Sequence, residues 1–437
     1  MAGDSKAKVI VYGATSFTAR ELLTYLDNHP QSHLFDVILS GRNLQRLQAS
    51  AEKLEKRHKI VACQLDDQEG VKNLISQGDV VINLAGPFQR HNAEALISEC
   101  AATGKHYVDL TGESQWLATE IIPKYHFQAS KTGSCIIPSC GFDSIPSDLS
   151  VYLSLKTLQQ QHPSATITKS ISFFKVKGSI SGGTIESMKS VAQIPPKERL
   201  RSEWQLVNRF EARPSTPPRF VYELSSPHLP RRLIGGFFFM FPFNRCIVRR
   251  SWALSQLHPD VITDRALDID EESKEPVHGQ DFTYEESYET GSKASALLLT
   301  GSVILFGILF FGSRVTRWLL LHLLPQAGQG QDMEKLKKGN MAVTNVSQTT
   351  LDDVQVITTC KAQGDPGYIV TNYMLAESAL SLVLPPPKGT SLPPLAKIGG
   401  VLTSASGLGS VLIQRLRDSG TMEWESRIVT GQRAKVD

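Results

Sequence analysis

The sequence predicts an α/β protein that begins with a doubly wound parallel sheet of the Rossmann type. Lys8–Tyr12 has the pattern of a buried strand and ends at Gly13, and leucines then recur at helical spacing until Pro30. Further β-rich runs, each followed by a helical or polar stretch, occupy residues 35–40, 60–65, 79–84, 106–110 and 134–138. Alternation of this kind builds a parallel sheet with helices on both faces.

Length and composition limit the classes of protein to be considered. The chain has 437 residues, which at about 150 residues per domain corresponds to about three domains. Lysine plus arginine number 46 and aspartate plus glutamate 43, a formal net charge of +3, so no nucleic-acid partner is expected. The six cysteines form no C-x-x-C pair and gather no zinc-type cluster, so neither a disulfide scaffold nor a metal site is predicted.

The remainder of the chain is less regular. Residues 166–176 and 353–360 have strand patterns, whereas 195–235 are rich in proline and arginine and 258–293 are polar and acidic, so both are predicted to be loops or surface elements. Near the C-terminus, apolar residues from Leu408 to Leu416 recur at helical spacing, which predicts a helix docked on the first domain. The predicted units are a dinucleotide-binding domain (1–150), an α/β substrate domain (151–394) and a segment returning to the first domain (395–437).

The turn after the first strand has the features of a phosphate-binding turn. Glycine is needed first for the tight turn, small residues follow, and the pyrophosphate rests on the free N–H groups of the helix N-terminus. Here Gly13 comes first, and Ser16 and Ala19 occupy the places of the second and third glycines. The predicted cofactor-binding residues are Gly13, Thr15, Ser16, Phe17 and Thr18. The alternative is an ordinary strand-to-helix turn.

The end of the second strand indicates which dinucleotide binds. An NAD site places an acidic residue there for the ribose 2′-hydroxyl, but this chain has Ser40-Gly41-Arg42. An arginine can pair with the 2′-phosphate of NADP through its planar guanidinium. NADP is therefore predicted over NAD, with Arg42 as a cofactor-binding residue; the alternative is that Arg42 only caps a surface helix.

Three polar turns follow later strands of the predicted sheet. They comprise residues 83–88, 109–113 and 140–148. Because ligands bind at the carboxyl ends of parallel strands, these turns are expected to line one site. The first of them is expected to face the nicotinamide, and its predicted cofactor-binding residues are Asn83, Ala85, Gly86 and Pro87.

These motifs resemble those of the saccharopine dehydrogenase-like oxidoreductases, which are related to saccharopine reductases and bacterial trans-acting enoyl reductases. The resemblance is carried by GATSFT (13–18), SGR (40–42), NLAGPF (83–88), DLTGE (109–113), GFDSIPSD (141–148), SGGT (181–184), PGY (366–368) and GGVLT (399–403). The family turn is usually GATGFTG, from which Ser16 and Ala19 depart. The resemblance implies a Rossmann domain, an inserted substrate domain and a returning C-terminal segment. It also implies lipid droplets or membranes as a location and glycolipid synthesis as a setting.

Reduction of a C=N or C=C bond requires a proton donor besides the cofactor. Asp143 lies in the loop that matches the G-x-D-P-G turn of the reductases, although Ser144-Ile145-Pro146 follows it here. Asp143 is the catalytic candidate, with a helix N-cap as its alternative role. Gly183 and Thr184 are the substrate-binding candidates, with a helix cap as the alternative for Thr184.

Two apolar segments predict contact with a lipid surface. Residues 294–313 are 20 consecutive uncharged residues, about 30 Å as a helix, and a second apolar stretch continues to residue 324. Residues 233–243 form an aromatic run flanked by arginines, a pattern that suits an anionic interface. A single span would separate the C-terminus from the cofactor domain. Monotopic insertion, on a lipid droplet or the cytosolic face of a membrane, is therefore predicted; a buried core helix or a homodimer interface are the alternatives.

The sequence thus predicts an NADP-dependent oxidoreductase that transfers hydride to a C=N or C=C bond of an apolar or lipid-linked small molecule. The alternative is a membrane or lipid-droplet protein that keeps the Rossmann fold as a binding module without turnover. Fold alone does not choose between them, because function depends on the site.

Overall fold

A parallel sheet organises the first part of the chain in the computed structural model, which describes residues 6–179, 182–200, 202–207, 215–265, 276–323, 332–431 and 435–436. Its strands are β1 (Ala7–Tyr12), β2 (Phe35–Gly41), β3 (Lys59–Ala62), β4 (Val80–Asn83), β5 (His106–Asp109) and β6 (Cys135–Ile137). They lie in the order β6-β5-β4-β1-β2-β3, and every neighbouring pair is parallel. The predicted Rossmann-type sheet is confirmed, with strand ends within a few residues of those expected.

Helices follow these strands in the predicted alternation. They are α1 (Phe17–Asp27), α2 (Leu44–Ala51), α3 (Gln68–Ser76), α4 (Glu94–Thr103), α5 (Ser114–Trp116), a π-helical turn (Leu117–Ile121) and α6 (Ile122–Thr132). In α1 the recurring leucines that predicted the helix are buried against the sheet, and α3 buries Val71, Leu74 and Ile75 in the same way. Apolar residues on one face of each helix and buried runs in each strand therefore account for this layer.

A second, mixed sheet follows α7 (Ile145–Gln161). The remaining strands are β7 (Ile167–Lys177), β8 (Tyr222–Ser225), β9 (Leu233–Phe237), β10 (Thr283–Thr290), β11 (Asn340–Thr349), β12 (Val354–Gln363), β13 (Gly400–Val401), β14 (Met422–Thr430) and β15 (Lys435–Val436). Their order is β14-β12-β11-β7-β10-β9-β8-β15, with β13 joining the first sheet beside β6 instead. Only β7 and β10 pair in parallel among these described strands.

The prediction of loops across 195–235 and 258–293 is wrong in part, because β8, β9 and β10 lie there. Strand β10 was missed because it is polar and acidic in sequence. Glu285 and Glu286 are nevertheless buried: Glu285 pairs with Lys169 at 2.8 Å and Arg219 at 2.9 Å. Buried carboxylates with partners look like surface residues when only the composition is known.

The other helices follow β7 in the chain. They are α8 (Gly182–Gln193), α9 (Phe241–Arg265), α10 (Lys293–Gly312), α11 (Arg314–Leu323), α12 (Met333–Lys337), a π-helical turn (Pro366–Val370), α13 (Thr371–Val383), α14 (Pro394–Ile398), α15 (Ser404–Gly407) and α16 (Gly409–Asp418). Helix α13 contacts α1, β4 and β5 of the first sheet, although it precedes the boundary placed at residue 394. Of the segment after that boundary, β13 lies in the first sheet and β14 at the edge of the second.

A buried cluster holds the C-terminal segment against α1. The Glu377 carboxylate accepts hydrogen bonds from Tyr25 at 2.5 Å and from the Arg415 guanidinium at 2.7 Å, and it lies 2.9 Å from His29 Nε2. These partners come from α1, the turn after it and α16, so one carboxylate of α13 joins elements far apart in sequence. They hold the pKa of Glu377 below its ordinary value despite burial.

The expectation that arginines beside residues 233–243 face lipid headgroups is wrong for Arg245, Arg249 and Arg250. They are 9%, 2% and 5% exposed on α9. The Arg250 guanidinium donates to the carbonyls of Leu206 at 2.7 Å and Val401 at 2.5 Å. These arginines face the protein interior because α9 packs against α7, β10 and α15.

Helices α10 and α11 form an exposed pair, the apolar hairpin (293–323). Helix α10 is long and apolar enough to cross a membrane by length and composition, and only 17% of its most apolar window is buried. Ala296, Thr300 and Phe310 face the protein, whereas Leu298, Ile308 and Trp318 are among the large apolar side chains that are more than half exposed. The Thr300 hydroxyl accepts from Phe237 N at 2.9 Å, which fixes α10 to the end of β9.

Glu286 is expected to make stability depend on pH. Its side chain accepts from Ser147, from Tyr284 at 2.6 Å and from Asn244 at 2.9 Å, and burial raises its pKa from 4.5 to about 7. Because the folded protein binds this proton more tightly than the unfolded chain, the stabilisation is complete below pH 4.5 and is lost as pH rises through about 7. The loss is roughly 3 kcal/mol.

The Glu286→Gln variant removes that dependence while keeping the packing. The buried Asn244 Oδ1 has no hydrogen-bond partner in the described part of the chain and can accept from the new amide. Urea unfolding at several values from pH 5 to 8 should show a flatter stability profile for Glu286→Gln than for the parent. Glu69→Gln, at an exposed position of α3, is the matched control. Parallel profiles for the parent and Glu286→Gln would contradict the assignment.

Candidate functional site

The turn after β1 brings the backbone of two strand ends close together. Gly13 has φ +81°, and a Cβ there would lie 2.9 Å from Ala85 N. Its N–H donates to Ser40 O at 2.9 Å, so the turn is also fixed to β2. No other residue type fits this position without displacing the chain. The glycine selected from the sequence is thus required by both conformation and space.

The N-terminus of α1 is open at this turn. Ser16 is the N-cap, and its hydroxyl accepts from Ala19 N at 3.1 Å, so the departure from glycine supplies a helix cap. The N–H groups of Phe17 and Thr18 have no partner among the described residues. Thr15 is exposed beside them. Free N–H groups at a helix N-terminus attract a phosphate, so the turn fits a pyrophosphate.

Arg42 lies directly after β2, where a dinucleotide ribose is bound in this fold. Its side chain is exposed, and no carboxylate within the described ranges forms an ion pair with it. The alternative of a helix cap is wrong, because Asn43 caps α2 by accepting from Arg46 N at 3.0 Å. An unpaired guanidinium at this place fits a 2′-phosphate.

A buried side chain fixes the loop after β4 from the protein interior. Asn83 is fully buried: its amide donates to Tyr107 Oη at 2.9 Å, and its Oδ1 accepts from Ala85 N at 2.9 Å. Asn83 therefore shapes the loop from the protein side, while Ala85, Gly86 and Pro87 form its outer part. The peptide bond between Gly86 and Pro87 is cis.

Glu113 holds the same loop from the next strand end and was not selected from the sequence. It is 3% exposed, and its Oε2 accepts from Phe88 N at 2.9 Å and Gln89 N at 3.1 Å. Its Oε1 is buried without a hydrogen-bond partner among the described residues. The only sequence signal was its place in the DLTGE turn, since a contact between two loops leaves no periodic pattern.

Asp109, at the end of β5, is a fully buried carboxylate beneath the site. It accepts from Tyr107 Oη and Thr111 N at 2.9 Å and from Ser139 N at 3.0 Å. Burial raises its pKa to about 6, although these hydrogen bonds oppose the shift. Asp109 therefore joins the turns after β5 and β6.

Asp143 lies in the turn between β6 and α7. Burial raises its pKa to about 7, and no hydrogen bond to it is made by another described residue. The alternative role as N-cap is wrong, because Ser144 occupies that position and α7 begins at Ile145. A carboxyl group with this pKa exists in both protonation states near neutral pH, as a proton donor requires.

Helix α8 lies over these strand-end turns. Gly183 is exposed and Thr184 partly buried in its first turn, and an added Cβ at Gly112 would lie 3.6 Å from Ser187 Oγ. A cavity of about 400 Å³ separates the helix from the β4 loop; it is lined by Pro87, Arg90, Glu113, Glu186, Lys189 and Gln193, among others. The structure thus brings Pro87 near the helix that carries Gly183 and Thr184, whose contact with substrate stays a prediction.

Comparison with known proteins agrees with this geometry. Residues 9–137 match the sequence model of the saccharopine dehydrogenase NADP binding domain. A Mycobacterium tuberculosis protein, provisionally named a trans-acting enoyl reductase, is 30% identical over 97% of this chain and 98% of its own length. The trans-acting enoyl reductase of Mycobacterium ulcerans is 27% identical over 96% and 98%.

A solved structure is similar along almost the whole chain. The saccharopine dehydrogenase (L-Glu forming) of Saccharomyces cerevisiae aligns with 97% of this chain and all of its own, at 14% identity and a TM-score of 0.47. The family model covers most of the first sheet, and the matches to the mycobacterial proteins extend over both sheets. This chain belongs to the saccharopine dehydrogenase-like family and is an NADP-binding oxidoreductase.

Proposed function

We propose that the protein reduces a C=C bond, or a C=N bond, of an apolar or lipid-linked small molecule at the surface of a membrane or lipid droplet. The observation that carries this proposal is the position of Asp143. Asp143 lies in the turn after β6, at the same end of the parallel strands as Gly13 and Arg42, and burial raises the pKa of its carboxyl group to about 7. The names of the mycobacterial relatives favour the C=C bond.

The residues that would hold NADP form one edge of the sheet. The turn at Gly13 and the N–H groups of Phe17 and Thr18 would bind the pyrophosphate, and Arg42 the 2′-phosphate. The loop from Ala85 to Pro87 would support the nicotinamide. Bound NADPH supplies a hydride, and the protonated Asp143 carboxyl supplies the proton that completes the reduction.

Phe142, the residue before Asp143, belongs to a cluster of aromatic side chains. The ring of its neighbour Phe142 meets Phe174 of β7 at 6.2 Å, and Phe174 stacks on Phe238 at 4.6 Å. Phe238 in turn lies 6.2 Å from Tyr288. The cluster reaches Phe238, the residue after β9, and the apolar hairpin is attached to the end of that strand. Phe174 and Phe238 are 0% and 2% exposed, so the partly exposed Phe142 is the member of this cluster next to Asp143 that an apolar substrate can contact.

The apolar hairpin favours a monotopic seat on lipid. One face of α10 is packed against β9, whereas its outer face and α11 expose Leu298, Leu319 and Trp318. A helix held on one side by its own protein can bury its other face in one leaflet, and an interfacial tryptophan suits that depth. A homodimer through the hairpin is the competing outcome: it would show as a dimer in sedimentation that does not bind vesicles.

Arg42→Ala tests the cofactor assignment. Only NADPH offers a phosphate to the Arg42 guanidinium, and a charge-assisted contact contributes roughly 1.5–3 kcal/mol, about ten-fold or more in affinity. Fluorescence titration should therefore show weaker NADPH binding by the variant and nearly unchanged NADH binding. Arg46→Ala, one turn along α2, is the matched control and should retain the preference for NADPH. Equal affinities of the parent for both cofactors would contradict the assignment.

A further inference from the structure

Helix α8 is attached to the cofactor turn at its N-terminal end. The N–H of Gly182, its first residue, donates to Tyr368 Oη at 3.1 Å. The Tyr368 ring meets the ring of Phe17 edge-on at 5.4 Å, and Phe17 begins α1 at the phosphate-binding turn. Tyr368 therefore joins the start of α8 to Phe17, a predicted cofactor-binding residue.

The C-terminal end of α8 is held by two arginines. Its last carbonyls have no partner within the helix, as at any helix end. The Arg199 guanidinium donates to Ala192 O at 3.1 Å and, through Nε, to Ile194 O at 2.8 Å. The Arg317 Nη1 donates to Ala192 O at 3.4 Å and to Phe310 O at 3.2 Å. Two arginine side chains thus donate hydrogen bonds to the backbone carbonyls at the C-terminal end of α8.

Arg317 belongs to the apolar hairpin, and Arg199 contacts it. Arg317 lies on α11, next to the exposed Trp318, and its second acceptor, Phe310, is in α10. Arg199 lies over the ring of Phe311 with its Cζ 5.6 Å from the ring centroid. Trp318, which would contact lipid, is therefore the neighbour in sequence of Arg317, whose side chain donates a hydrogen bond to α8.

We infer that Arg199 and Arg317 are positioning residues that couple the seating of the apolar hairpin on a lipid surface to the position of α8 over the reduction site. This inference rests on the proposed function for the surface and the reaction. Lipid around Trp318 restrains α11, and Arg317 transmits that restraint to Ala192. Because Glu186 and Lys189 of α8 line the cavity opposite Pro87, a restraint on α8 holds one wall of that cavity in place.

Hydrogen exchange measures this coupling without a known substrate. The full chain is mixed with phosphatidylcholine vesicles that contain a minority of phosphatidylserine, and amide exchange is followed by mass spectrometry. We expect residues 185–193 to exchange at least about threefold more slowly with vesicles than without them. In Arg317→Ala, vesicle binding by flotation should be unchanged and the slowing in 185–193 should be lost.

Arg314→Ala is the matched control, because it removes the same charge from the same helix. Arg314 is exposed, and it forms no hydrogen bond or ion pair with a described residue of α8. It should bind vesicles and keep the slowing. Slowing in Arg317→Ala equal to the parent, or no slowing in a parent that binds vesicles, would overturn the coupling. NADPH titration and enone reduction without vesicles are measured separately, so failure of the proposed function is distinguishable from failure of the coupling.

Discussion

Replacing Asp143 with asparagine is expected to lower the rate of reduction by about 10²–10⁴-fold, the usual contribution of a positioned proton donor. Asparagine keeps the size of the side chain but has no proton to give at neutral pH. NADPH affinity should be unchanged, because Asp143 lies beyond the residues assigned to the cofactor. Stopped-flow NADPH oxidation with an apolar enone and a fluorescence titration measure the two quantities.

The pH profile makes the test of Asp143 specific. Its pKa is raised to about 7 by burial, and the protonated form is the donor. The rate of the parent should therefore fall as pH rises above about 7, whereas the residual rate of Asp143→Asn should be flat over this range. A variant within threefold of the parent, or one with the parent's pH profile, would remove Asp143 from the mechanism.

Gly13→Ala is expected to weaken NADPH binding by at least about 100-fold, which corresponds to roughly 2.7 kcal/mol. The new Cβ would lie 2.9 Å from Ala85 N and 3.0 Å from the Leu84 carbonyl carbon, so one of two cofactor loops has to move. Equilibrium titration with NADPH measures the effect. Circular dichroism on the same samples shows whether the variant is folded.

Gly133→Ala is the matched control for backbone strain. Gly133 ends α6 with φ +80°, almost the value at Gly13, but nothing lies within 4 Å of an added Cβ. It should lose about 1 kcal/mol of stability and keep its NADPH affinity, because only the conformational cost applies. If Gly13→Ala behaved like Gly133→Ala, the close approach of the two loops would not matter for the cofactor.

Local patterns in the sequence were sufficient for the first sheet. Each buried strand leads into a turn. Gly13 could be selected because a tight turn between the end of a strand and the start of a helix requires glycine. Arg42 was selected for the same reason, from its register at the end of β2. Such signals depend only on residues near one another in the chain.

Contacts between distant residues left no such pattern. Glu113 supports the loop at Phe88 from a neighbouring strand, and Glu286 is buried through Ser147, 139 residues away. Arg249 was assigned to a headgroup surface, but it is 2% exposed and its Nε lies 3.4 Å from Glu203. Charged residues with buried partners cannot be recognised until the fold has placed the partners.

Transfer of deuterium from the cofactor tests the central claim most directly. The full chain is incubated with NADPH deuterated at C4 on either face and with a long-chain 2-enone in detergent, and the product is analysed by mass spectrometry. We predict a saturated ketone carrying one deuterium at the β-carbon from one of the two labelled faces, at a rate reduced in Asp143→Asn. Undeuterated product from both labels, or no reduced enone despite saturating NADPH, would contradict an NADP-dependent C=C reductase.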